Sequence, residues 1–154
     1  MRRLADELGI AAPSLYKHIS GRDEILALLQ ASGLEEFGRA VAEATAGEPA
    51  GGGGDIAAGG IAAMAATYRT WALHHAALYS LMTRRPLDRG RLPEGLEATA
   101  EAPLLAAVGQ DRATARALWA VAHGLVDLEL AGRFPVDADL DAAWAAAVRA
   151  FTPG

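Results

Sequence analysis

Cysteine is absent from the 154-residue chain, which excludes disulfides and thiolate-bound metal. No basic stretch leads into an apolar run, and no apolar run is long enough to span a bilayer. Neither a signal peptide nor a membrane helix is therefore expected, and the default compartment is the cytoplasm. β-branched residues are sparse and never alternate over the length of a strand. Alanine supplies much of the apolar content, which favours helix, so the expected class is all-α. The apolar fraction of 52% is too high for a disordered chain. Catalytic signatures are missing too. There is no nucleophile elbow, and the run Gly51 to Gly54 lacks the Lys and Ser/Thr of a phosphate-cradling loop. No enzyme activity and no cofactor are expected. A metal site built from His74, His75 and His123 with Asp127 or Glu129 is disfavoured. Adjacent helical residues point about a quarter-turn apart and rarely serve one ion.

Positive charge is not in excess. The net charge of −5 argues against binding nucleic acid with the whole surface but leaves a local basic face open. Arg2, Arg3, Lys17 and Arg22 could form one, although Asp6, Glu7, Asp23 and Glu24 balance it within the same segment. That segment, MRRLADELGIAAPSLYKHISGRDEIL, is the most informative in the chain. A short helix over Arg2 to Leu8 would carry Leu4, Ala5 and Leu8 on one face. Gly9 sits where a helix ends and φ turns positive. A second short helix, Ala12 to Ile19, follows a tight connection. This is the spacing of a helix-turn-helix, whose second helix enters the major groove. At its start, Ala12 or Pro13 could touch a thymine methyl, and the Ser14 hydroxyl could bond a base or a phosphate.

Further along, a helix is expected from Arg22 toward Ala46, with Ser20 as N-cap and Ile25, Leu28, Leu29, Phe37 and Val41 as its apolar face. Gly47 to Gly54 reads as a flexible linker. A helix over Asp55 to His75 would bury Ile56, Met64, Tyr68 and Trp71. A short helix, Ala76 to Arg84, and a loop, Arg85 to Pro93, come next. Another helix contains Pro103 and runs to about Gly109. The strongest helix, Asp111 to Arg133, is capped by Asp111 and ended by Gly132, Phe134 and Pro135. It is apolar around most of its circumference between Leu118 and Leu130, so it is buried on several faces. Asp137 and Asp139 open a last helix to about Phe151. The final two helices either close the monomer core or form half of a four-helix dimer interface. The candidate interface residues are Leu118, Val121, Leu125, Leu128, Leu140, Trp144, Val148 and Phe151.

The run RRLADELGIAAPSLYKHISGRDEIL resembles the TetR family of bacterial transcriptional regulators, most tellingly in LYKHI followed by RDEIL. The segments His75 to Met82 and Leu118 to Leu130 are similar to the C-terminal domain of the branch marked by a Trp-His-Gly pattern. The resemblance implies a helix-turn-helix DNA-binding segment with its connecting helix over 1–46, and a helical ligand-sensing and dimerisation domain over 47–154. The family's DNA-binding domain has a helix before Arg2. The chain as given begins inside the second helix, so that domain is expected to be incomplete here. By resemblance, Tyr16 and His18 hold phosphates, Lys17 reaches a phosphate or a base, and Arg22 contacts a phosphate. The implied assembly is a homodimer on a palindromic double-stranded operator. A small apolar or amphipathic effector would release it, which makes it a repressor, with no membrane partner. The alternative is a small-molecule-binding or dimerisation module that no longer binds DNA. Candidate pocket residues are Met64, Tyr68, Trp71, Leu78, Met82, Leu105, Trp119 and His123. Methionine and aromatic side chains make an adaptable apolar cavity, in which Tyr68 or His123 could orient a polar group. The plain alternative is that this stripe is core.

Overall fold

Residues 19–46 and 54–152 are described by the structure, a computed structural model. Helix α1 (Arg22–Thr45) takes Gly21, not Ser20, at its N-cap. Glu24 in the first turn reaches back instead and accepts from both the backbone N–H and the hydroxyl of Ser20. Those bonds hold the Glu24 carboxyl below its ordinary range. The helix start is therefore tied by a first-turn carboxylate to the residue before its N-cap.

The buried face of α1 is made of small residues. Ala27, Gln30, Ala31, Gly33, Gly38 and Val41 point inward, whereas Leu28 and Leu29 are 57% and 44% exposed. The expected face through Leu28 and Leu29 is thus corrected. Close approach explains the choice of residues. A Cβ at Gly33 would collide with the sulfur of Met82, and one at Gly38 would meet the Ala100 backbone at 3.2 Å. These contacts seat α1 against α3 (Ala76–Thr83) and α4 (Leu96–Ala107).

Helix α2 (Gly54–His74) lies at the centre and packs on every other α-helix described: α1, α3, α4, α5 (Arg112–Leu130) and α6 (Leu140–Phe151). A 3-10 turn, Arg89–Arg91, interrupts the expected loop. Every regular element among the described residues is a helix, as the composition implies. None is long and apolar enough to cross a membrane.

The ends of these helices follow from side-chain chemistry. Asp111 accepts from the Ala113 N–H at 2.9 Å and the Thr114 hydroxyl at 2.6 Å, and Asp139 accepts from the Ala142 N–H at 2.9 Å. Helix α5 stops at Leu130, short of the expected Arg133. Gly132 adopts φ 59° there, and the Arg133 N–H folds back to the Leu128 carbonyl at 2.9 Å. Pro103 sits inside α4, where it has no N–H to give the preceding turn.

Two apolar clusters form the core. The first joins Tyr68, Trp71 and Ala72 to Tyr79, Ala122, Val126 and Trp144. The second joins Val41, Ile61, Met64 and Leu118. Several candidate interface residues are spent in these clusters. Leu118 and Trp144 are 7% exposed, Leu125 packs against the first cluster, and Val148 and Phe151 pack against the second. Leu140 is half-buried, and only Val121 and Leu128 remain exposed. Each helical step turns a side chain by about 100°, so one apolar run feeds both core and surface.

Arg69, one step on from Tyr68, ties the outer seam. Its guanidinium grips Glu129 of α5 with both Nε and Nη2, donates from Nη1 to Asp141 of α6, and lies 6.0 Å from the Trp144 ring centroid. The carboxylates hold it firmly in the charged form. Glu129, at 16% side-chain exposure, carries more of this seam than Asp141 at 90%.

Trp144→Ala should lower the unfolding free energy by about 3–5 kcal/mol in urea titrations followed by far-ultraviolet circular dichroism. Trp119→Ala, at a residue 50% exposed, should cost clearly less. Equal costs for the two would place the wrong tryptophan in the core.

Candidate functional site

Between the two clusters lies a cavity of about 770 Å³. That volume falls within the usual range for small-molecule sites, roughly 300–1,000 Å³. Its lining includes the rings of Phe37, Tyr68, Trp71, Tyr79, Trp119 and Trp144 beside aliphatic, methionine and charged side chains. The Phe37 ring from α1 stands edge-on to Tyr68, with centroids 5.2 Å apart, and to Trp71, with centroids 5.4 Å apart. Met64 and Met82 add adaptable thioethers to the lining. The Trp71 indole N–H is satisfied by the Glu36 carboxylate at 3.1 Å.

One side of the cavity is polar. The Tyr79 hydroxyl lies 3.0 Å from the Tyr68 hydroxyl and 2.6 Å from Nδ1 of His123. The direction of this chain depends on the imidazole. If Nδ1 carries no proton, Tyr68 donates to Tyr79 and Tyr79 donates to His123. If it carries one, the Tyr79–His123 bond reverses. Burial pushes the Tyr68 hydroxyl up to about 12, and burial together with the Tyr68 neighbour raises Tyr79 as well. Both phenols stay protonated at neutral pH and serve as hydrogen-bonding groups, not as charges. The Trp119 ring stacks on the far part of this group, 5.8 Å from His123 and tilted by 17°.

Six of the eight expected pocket residues line the cavity: Met64, Tyr68, Trp71, Met82, Trp119 and His123. Leu78 and Leu105 do not. Leu78 packs against Gly33 and the first cluster, and Leu105 is half-buried outside the lining. Their neighbours Tyr79 and Leu104 take those places. Both differences are a slip of one residue, which turns a side chain by about 100°. Tyr79 lay within the segment that carried the resemblance, but a helix of eight residues holds too few turns to fix its phase. Phe37 and Gln30 of α1 also line the cavity and were not foreseen as site residues. Gln30 is 3% exposed and donates to the Pro86 carbonyl at 3.3 Å, which pins the loop at the cavity edge.

The histidines are separated by their partners. His74 and His75 turn Nδ1 toward the carbonyls of Thr70 and Trp71, and His123 turns to Tyr79. Among the described residues, no group of three or more His, Cys, Asp or Glu could hold a metal ion. Of the DNA-contact candidates, Ala12, Pro13, Ser14, Tyr16, Lys17 and His18 lie outside the described residues. Arg22 stands exposed at the start of α1. On the opposite side of α5 from the cluster residues Ala122 and Val126, Ala117, Val121 and Leu128 are exposed, and Gly124 lies between them half-buried. Ala142, Ala145 and Ala146 of α6 are exposed as well.

A family model described as tetracyclin repressor-like, C-terminal domain, matches residues 61–151. The chain is 33% identical over 148 residues to an uncharacterised helix-turn-helix-type transcriptional regulator of Mycobacterium tuberculosis. That match covers 90% of this chain and 64% of the relative, so the chain spans less than two thirds of the relative's length. Two solved structures share the fold. One is the crystal structure of a candidate regulatory protein, with a TM-score of 0.71 and 22% identity, covering 97% of this chain and 83% of the other. The second is a protein of unknown function from Rhodococcus, with a TM-score of 0.69 and 23% identity, covering 99% of this chain and 84% of the other.

The raised tyrosines make alkaline stability a test of this polar group. The Tyr68 hydroxyl ionises near 10 when unfolded and near 12 when folded. Its contribution is therefore complete below pH 10 and is lost as pH rises through about 12. The loss should reach about 2–3 kcal/mol, and a Tyr68→Phe, Tyr79→Phe variant should show a flatter profile in the same window. Parallel profiles for the two proteins would remove the buried pair as the source.

Proposed function

The chain belongs to the tetracyclin repressor-like (TetR) family of regulators, and from that premise we propose that it is a DNA-binding transcriptional regulator controlled by a small molecule in the 770 Å³ cavity. One observation carries the reading. The segment that matches the family, together with α1, lines a cavity that holds aromatic and methionine side chains and a partly buried hydrogen-bonding pair, Tyr79 with His123. Such a site selects an apolar or amphipathic effector and orients it by one polar contact.

The proposed coupling runs through α1. Phe37, Gln30 and Val41 of this helix line the cavity, and its first residue, Arg22, follows directly on the expected recognition helix. An effector that fits one position of Phe37 better than another shifts α1, and with it the spacing of the reading heads. DNA affinity falls by the ligand's differential binding to the two states. In this reading the division of labour follows 1–46 and 47–154, with α1 as the connection. Repression relieved by the effector is the proposed direction of control.

The proposed homodimer pairs α5 and α6 with their copies. Ala117, Val121, Gly124 and Leu128 on α5, with Ala142, Ala145 and Ala146 on α6, form a face of small and apolar residues suited to close helix approach. A two-fold dimer would present two recognition helices to successive major grooves of a palindrome, with Ala12 to Ser14 at base edges and Tyr16, Lys17, His18 and Arg22 on the backbone.

Fluorescence anisotropy on duplexes tiled from the DNA flanking the gene tests the reading across a salt series. It should be run with this chain and with a form extended to any upstream in-frame start. Salt-sensitive, sequence-selective binding by either form is expected. Lys17→Ala and Tyr16→Ala should weaken it by roughly tenfold while sedimentation velocity still shows a dimer. No selective binding by either form would favour a sensor or dimerisation module that does not read DNA. In the same sedimentation experiment, Val121→Glu should give a monomer, and a dimer in that variant would move the interface off α5.

A further inference from the structure

Resting on the reading of the cavity as the effector site, we infer that the effector is an elongated anion, with a carboxylate or similar acidic head and an apolar body. The argument starts at the rim. Arg85, Arg89, Arg112 and Arg116 all line the cavity, and all four are exposed, while Tyr68 and Trp71 are buried deeper in the same wall. Arg89 is spoken for, since Glu97 takes its guanidinium through bonds of 3.0–3.1 Å. Among the described residues, Arg85, Arg112 and Arg116 have no ion-pair partner, and Glu101 is the one other carboxylate in the lining. Asp111, next to Arg112, is engaged by Ala113 and Thr114 at its helix cap. The rim is therefore locally cationic on a chain whose net charge is −5. A neutral or cationic effector gains nothing from such a rim, whereas guanidinium groups match a carboxylate with paired N–H donors.

The same wall sets the shape. Arg112, Arg116, Trp119 and His123 recur along α5 at intervals of four, three and four residues, so they form one stripe facing the cavity. At 1.5 Å per residue, Arg116 and His123 are separated by about 10 Å along the helix. The stripe runs from cationic, over the Trp119 ring, to the Tyr79–His123 pair. A ligand with its acidic head at Arg112 and Arg116 would lay its apolar body along Trp119. Its far end would reach the hydrogen-bonding pair of Tyr79 and His123 in the interior.

Isothermal titration calorimetry with three probes of equal chain length decides the matter: decanoate, decanol and decyltrimethylammonium, each below its micellar concentration and at fixed salt. Decanoate should bind at least about tenfold more tightly than either of the others, and an Arg112→Gln, Arg116→Gln variant should lose that preference. Both positions are exposed, so the variant is expected to fold, and far-ultraviolet circular dichroism verifies it. Equal affinities, a preference for the cation, or a decanoate preference that survives in the variant would each overturn the anionic assignment while leaving an occupied cavity. Failure of all three probes to bind would overturn the assignment together with the effector-site reading.

Discussion

The Tyr79 hydroxyl is the point on which the interior depends. It stands between the Tyr68 hydroxyl and the His123 imidazole and so joins α2, α3 and α5 at the cavity wall. A buried hydroxyl without a partner costs about 1–3 kcal/mol, so none of the three groups can move away alone. The three helices therefore share one relative position, and the cavity between them keeps its aromatic lining. The same group is what a ligand would compete for or extend.

Around this point, small and large residues divide the work. Gly33 and Gly38 bring α1 against α3 and α4, and their missing side chains are what permit the contact. Phe37, between them in sequence, projects into the cavity and meets Tyr68 and Trp71 edge-on. Close packing on one face of α1 and open space at Phe37 are consequences of the same spacing. On the outer side, Arg69 joins α2 to α5 and α6 by ion pairs at the surface and packs over Trp144. The cavity is thus held by hydrogen bonds within and by an arginine seam without.

Much of this was legible from residues alone where local chemistry decides. Helix boundaries at Asp111, Asp139 and Gly132 follow from capping and from positive φ, which depend on a few neighbouring atoms. The aromatic and methionine content of the pocket was also legible, because residues at helical spacing on α2 and α5 share a face. What misled was phase. Ser20 gave way to Gly21 and Glu24 at a cap, Leu78 to Tyr79, and Leu105 to Leu104. Each is a displacement of one residue, or one helical turn, and local sequence does not distinguish the alternatives.

The sequence by itself determined the class of fold, the order of the helices and the kind of side chain available to a pocket. Propensity, capping and periodicity act over a few residues, and alanine-rich segments punctuated by Gly, Pro and Asp leave little choice. Only the tertiary structure decided which face of each helix is inward. Leu118 and Trp144 look equivalent to Val121 and Leu128 along the chain, yet the first pair is consumed by the monomer core and the second is left outside. The rim arginines likewise lie apart in sequence, from Arg85 to Arg116, and come to one cavity only when the loop after α3, the 3-10 turn and α5 meet in the fold. Burial is a property of the packed arrangement, and no single segment carries it.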